Sequence, residues 1–85
     1  MFEYFINAQT ANHKAKFARS INELNRIIIN EASIGAYNYT YEIPSFFTND
    51  DKIVLKDLLI NNGFYVREAV KTANTIVIWW DGDNE

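Results

Sequence analysis

The run Ile76-Val77-Ile78-Trp79-Trp80 is apolar at every position. It constrains the fold more than any other stretch of the chain. A strand with one face in water alternates apolar and polar residues, because successive side chains point to opposite sides of the sheet. Here both faces are apolar, and each carries a tryptophan. Such a strand is either central and covered on both sides, or it keeps one face for a partner.

The segments around it supply the cover. Residues 10–34 read as one long helix with Thr10 as N-cap. Phe17, Ile21, Leu24 and Ile28 recur at the spacing of a single helical stripe, and Ile27 and Ala32 widen it. Gly35 follows where a left-handed C-terminal residue is expected. Ile29 and Ile34 fall on opposite flanks of that stripe, so one of them is expected to be exposed or to touch a second surface.

Residues 36–43 alternate as a half-buried strand does. Tyr37, Tyr39, Tyr41 and Ile43 face one side, and Ala36, Asn38, Thr40 and Glu42 the other. Pro44 ends the strand because it has no N–H for the ladder, and Phe46 and Phe47 follow, expected to tuck over the core. Thr48 with Asp51 resembles a capping box, and the adjacent Asp50 and Asp51 suit the positive end of a helix. Val54, Leu55, Leu58 and Leu59 form the expected buried stripe of that second helix, flanked by Ile53 and Ile60, and Gly63 closes it. Residues 64–70 are a second strand, 71–74 a turn, and 75–80 the third strand of a hairpin.

The expected fold is therefore α+β in the order αβαββ, with two helices on one face of a three-stranded mixed sheet. The strands on either side of the second helix run parallel through a right-handed crossover. The doubly apolar third strand inserts between them. A chain of 85 residues makes one domain, residues 1–85, with 81–85 a frayed acidic tail. At this size about 60–65% of the unfolded surface is buried, enough for one modest core.

Composition removes several function classes. There is no cysteine, so a disulfide framework, a thiolate metal site and a cysteine nucleophile are out. The single histidine, His13, cannot make a two-histidine metal site and is expected to be an exposed helix residue. Asp81, Asp83 and Glu85 hold too little of a calcium loop to count as one. No catalytic residue, metal site or cofactor site is expected. A net charge of −3 opposes nonspecific binding to nucleic acid. His13, Lys14, Lys16, Arg19 and Arg26 are spread around their helix and read as a solvated face. The opening Met1–Ile6 lacks a signal peptide's basic start, and no run reaches the length of a membrane span. A cytosolic chain is expected.

The candidate site is the sheet face turned away from the helices. Ile76, Ile78 and Trp80 point toward the core, which leaves Val77 and Trp79 outward beside Tyr65 and Arg67. Tryptophan, tyrosine and arginine dominate binding hot spots. These four residues are the expected partner-binding group, with Phe2, Tyr4, Phe5 and Ile6 as the intramolecular alternative for covering the face. The alternate tyrosines 37, 39 and 41 could stack on bases, but no basic residues interleave with them, and a core-lining role is favoured.

Several local features together resemble a known group. They are Thr10-Ala11-Asn12 before a long helix, Gly35 before a tyrosine-rich strand, Leu58-Leu59-Ile60-Asn61-Asn62-Gly63-Phe64-Tyr65-Val66 running from helix to strand, and Ile76-x-Ile78-Trp79 before a polar tail. The chain is similar to small uncharacterised proteins encoded by tailed bacteriophages. The resemblance implies a phage accessory protein in the host bacterial cytoplasm, and it carries no active-site residues. Proteins of this kind bind a host factor or block a defence system, anti-CRISPR proteins among them. The expected function is thus a non-enzymatic protein-binding module. A self-assembling homodimer with a structural or packaging role and a nucleotide-binding sponge are the alternatives.

Overall fold

The computed structural model describes residues 7–69 and 74–80. The proposed Phe2–Ile6 cover, the end of the second strand at Val70, most of the 71–74 turn and the 81–85 tail lie outside the described residues. The elements run α1 (Ala8–Ser33), β1 (Asn38–Glu42), α2 (Asn49–Asn61), β2 (Tyr65–Glu68) and β3 (Thr75–Trp79), in the expected order.

α1 begins earlier than Thr10. Asn7 is its N-cap, and its Oδ1 accepts the Thr10 backbone N–H at 2.7 Å. Asparagine outranks threonine as a cap, and taking Asn7 adds two residues to the helix ahead of Thr10. Both helices end on the same hydrogen-bonded motif. Gly35 N–H donates to Ala32 C=O at 3.1 Å and Ala36 N–H to Glu31 C=O at 2.9 Å. Gly63 N–H donates to Ile60 C=O at 3.0 Å and Phe64 N–H to Leu59 C=O at 3.0 Å. Each motif turns on a glycine at positive φ, +94° at Gly35 and +90° at Gly63. α2 starts on a complete capping box, with Asp51 N–H donating to Thr48 Oγ1 at 3.1 Å and Thr48 N–H to Asp51 Oδ2 at 2.9 Å.

The sheet order is β1-β3-β2, so the apolar run is the central strand. The expectation of a mixed sheet is corrected. β1 and β2 both pair antiparallel with β3 and never with each other, so every ladder is antiparallel. The inserted strand separates the two parallel ones, which removes the parallel contact.

Ile76 and Ile78 are 1% and 0% exposed. They share one buried cluster with Leu24 and Ile28 of α1, Leu55 and Leu59 of α2, and Tyr41, Ile43 and Phe47. Burial of each such aliphatic side chain stabilises the fold by about 1.5–3 kcal/mol. Phe17, Ile21, Phe64, Val66 and Trp80 pack against the cluster from its margins.

Three further expectations are corrected. β1 is shorter than residues 36–43, and Tyr37 is 57% exposed, although its C=O still accepts the Trp80 N–H at 3.0 Å. β2 starts at Tyr65, and the Phe64 N–H, which ladder parity turns away from β3, closes α2 instead. The stripe of α2 is narrower than its sequence, since Leu55 and Leu59 are buried while Val54 and Leu58 are exposed. α1 lies over β1 and α2 over β2, and Leu58 lines a groove between the helices opposite Ile21, while Val54 lies beside Phe17 and Asp51 at another hollow. On α1 both Ile29 and Ile34 are exposed, as is Ala32.

Candidate functional site

The two ladders set out the sheet face opposite Ile76 and Ile78 in rows. Asn38, Trp79 and Tyr65 stand side by side across β1, β3 and β2, and Thr40, Val77 and Arg67 form the next row. All four residues singled out in the sequence are therefore neighbours. The Tyr65 and Trp79 rings stack with centroids 5.9 Å apart and planes 17° apart. Arg67, diagonal to Trp79, places its Cζ 5.5 Å from the centroid of the indole. That distance is within cation–π range.

Their exposure differs from a uniformly open face. Tyr65 and Arg67 are exposed and Val77 is half-buried, but Trp79 is only 8% exposed. Its Nε1 is buried and has no hydrogen-bond partner among the described residues. An indole nitrogen is a donor only, and leaving a buried donor unpaired costs about 1–3 kcal/mol. The adjacent Trp80 shows the satisfied case. Its Nε1–H donates to the Ala36 C=O at 3.0 Å, and its ring meets Phe64 edge-on at 6.1 Å. One tryptophan thus fastens β3 to the end of α1, and the other, beside an arginine, holds a donor with no partner among the described residues.

The tyrosines of β1 belong mainly to the core. Tyr41 is buried and Tyr39 packs against the cluster. Burial pushes the Tyr41 hydroxyl pKa up, and the nearby Glu23 and Tyr39 add to the effect. Tyr37 alone is well exposed, so the three do not form one open stacking surface.

His13 is corrected from an exposed helix residue to a tertiary contact. Its Nε2 lies 2.6 Å from Asp51 Oδ2, joining α1 to the start of α2, and its ring sits edge-on to Phe46 at 5.9 Å. Burial works upward on the Asp51 pKa, but the hydrogen bonds from the Thr48 backbone and His13 outweigh it and hold the carboxyl below its usual range. Sequence spacing could not find this pair, because 38 positions separate the residues. Of the other cations on α1, Lys16 sits 6.0 Å from the Phe46 ring, while Lys14, Arg19 and Arg26 are exposed.

A second polar corner lies where α2 meets the β2–β3 hairpin. Lys56 pairs with Glu68, and Lys52 Nζ donates to Asn74 Oδ1 at 2.5 Å. The Lys56 hydrogen bond lowers the Glu68 pKa. Both lysines have partners, so the corner acts as a fastening between α2 and the hairpin. Among the described residues, no group of three or more histidine, cysteine, aspartate or glutamate side chains converges to hold a metal ion. No helix among them is long and apolar enough to cross a membrane.

No protein-family model matches the chain, and neither the curated proteins nor the solved structures give a match. The site therefore has to be read from its own geometry.

Proposed function

We propose that the chain is a non-enzymatic protein-binding module that engages its partner through Tyr65, Arg67, Val77 and Trp79. The observation that supports this is the Trp79 Nε1–H, buried and unpaired among the described residues, in an indole that Tyr65 stacks on and Arg67 approaches. An unpaired donor in an aromatic–arginine cluster fits an acceptor on another molecule, and tryptophan, tyrosine and arginine are the residues enriched in hot spots. The partner supplies a carbonyl or carboxylate oxygen to Trp79 and apolar surface to Tyr65 and Val77. Arg67 favours an acidic partner surface at the rim.

The phage setting and a host or defence-protein target, such as a CRISPR effector, come from the sequence resemblance alone. The proposed binding surface does not depend on them. The test is affinity capture from infected host lysate with the wild-type chain and with a Trp79→Phe variant that keeps an aromatic ring and deletes the donor. The reading expects a partner that the wild type retains and the variant loses. Equal retention by both would remove Trp79 from the interface.

A further inference from the structure

We propose that β1 is a self-pairing edge, at which a second copy of this chain adds its own β1 antiparallel about Thr40 and joins two three-stranded sheets into one. The backbone directions define the edge. Trp80 N–H donates to Tyr37 C=O, and Ile43 N–H donates to Asn74 C=O, so odd-numbered residues of this segment turn their backbone groups toward β3. Alternation then turns the N–H and C=O of Asn38, Thr40 and Glu42 to the open side. β1 is a terminal strand of the sheet, and these groups have no backbone partner among the described residues. Their side chains are exposed as well.

The local chemistry selects one register. Centred on Thr40, Asn38 lies opposite the partner's Glu42 and Thr40 opposite the partner's Thr40. Each such pair exchanges two bonds, so the ladder holds about six backbone hydrogen bonds. The Asn38 amide can donate to the carboxylate facing it. Tyr39 stands opposite the partner's Tyr41, and Tyr37 opposite the partner's Ile43.

The neighbouring registers fail for stated reasons. Centring on Tyr39 sets Glu42 opposite Ala36, whose N–H is taken by Glu31 C=O and whose C=O is taken by Trp80 Nε1. Centring on Tyr41 sets Asn38 opposite Pro44, which has no N–H. Centring on Glu42 places two carboxylates directly opposite each other. Of these registers, only the one centred on Thr40 uses every edge group that lacks a backbone partner among the described residues and opposes no like charges. It does not depend on the Tyr65–Trp79 cluster, and its test needs no other protein.

The experiment is sedimentation of the full chain over a micromolar-to-millimolar series, with circular dichroism to confirm folding. The expected species has twice the 9.9 kDa chain mass. Thr40→Glu and Thr40→Lys each place like charges on the two-fold axis, and each alone raises the dimer dissociation constant about ten-fold or more. Mixing the two variants restores a one-to-one pair, because unlike charges then meet. Restoration requires residue 40 of one copy to face residue 40 of the other, which a general loss of stability cannot imitate. A wild type that stays monomeric throughout overturns the proposal. So does a dimer that Thr40→Glu leaves intact, or a mixture that fails to re-pair.

Discussion

Tyr65 lies directly opposite Trp79 in the β2–β3 ladder, and their rings stack at 5.9 Å, while the buried indole N–H of Trp79 lacks a partner among the described residues. The stack and the unpaired donor pull in opposite energetic directions. An aromatic pair of this kind contributes about 0.5–1.5 kcal/mol beyond its area, and the unpaired donor costs about 1–3 kcal/mol. The two terms largely offset, so the stack does not by itself account for an unpaired donor, and burial of the large ring is a separate term.

Trp79→Phe separates the two terms. The variant loses some packing but also the unpaired donor, and the two changes largely cancel. Its stability is expected to stay within about 1 kcal/mol of wild type by urea denaturation. Trp79→Ala removes the whole ring and is expected to cost about 3–5 kcal/mol. If Trp79→Phe proved as damaging as Trp79→Ala, the donor would have to be satisfied in the folded chain, and the argument for an intermolecular acceptor would fail.

Acid stability should report on Asp51. Its carboxylate accepts from the Thr48 N–H and lies 2.6 Å from His13 Nε2, and its folded-state pKa lies below its unfolded value. The stabilisation is fully present above the ordinary carboxylate range and is lost as pH falls through the lowered value. Asp51→Asn is expected to flatten the fall in melting temperature on acidification and to weaken the α2 cap at neutral pH by about 0.5–2 kcal/mol. His13→Ala should flatten the same slope only in part, since the Thr48 contact remains. An unchanged acid profile in Asp51→Asn would assign the acid sensitivity to other carboxylates.

The central strand, the element order, the capping box and both closing glycines were legible in the sequence. Each is a local signal: a continuous apolar run, a Thr48–Asp51 spacing, a glycine after the last helical turn. Element ends were less legible, because they depend on competition between neighbours. Asn7 displaced Thr10 as a cap, and Phe64 gave its N–H to Leu59. The four site residues could be grouped from alternation alone, since a strand's period of two fixes which side chains share a face. What alternation could not supply was depth. Trp79 and Arg67 have the same parity, yet one is buried and the other exposed, because Trp79 lies in the central strand between two neighbours and Arg67 in an edge strand. The His13–Asp51 contact was illegible because nothing local marks it.

The helix ends give a further test with little ambiguity. At Gly35 and Gly63 an added Cβ would meet nothing within 4 Å, so alanine there creates no clash. Its cost is the left-handed backbone alone, about 1–2 kcal/mol. For a domain of this size that corresponds to a melting-temperature drop of roughly 4–8 °C per kcal/mol. Gly63→Asn should cost less than Gly63→Ala, because asparagine tolerates that backbone region better. Equal penalties would point to a packing role for the open space instead.

The core and the apolar surface should respond very differently to truncation. Ile78 is fully buried on the central strand, and Ile34 is 78% exposed at the end of α1. Ile78→Ala is expected to cost about 2–5 kcal/mol, combining lost transfer energy with a cavity that the two helices and the sheet cannot close. That is a large share of the 5–15 kcal/mol by which domains are typically stable, so the variant should unfold at markedly lower urea. Ile34→Ala removes a similar side chain from a site that is already wet, and it should change stability by no more than about 0.5 kcal/mol. If Ile34→Ala were instead as destabilising as a core truncation in a concentration-dependent way, Ile34 would be covered by another molecule in solution. The comparison at several protein concentrations therefore measures the core and tests for a further interface at the α1 terminus.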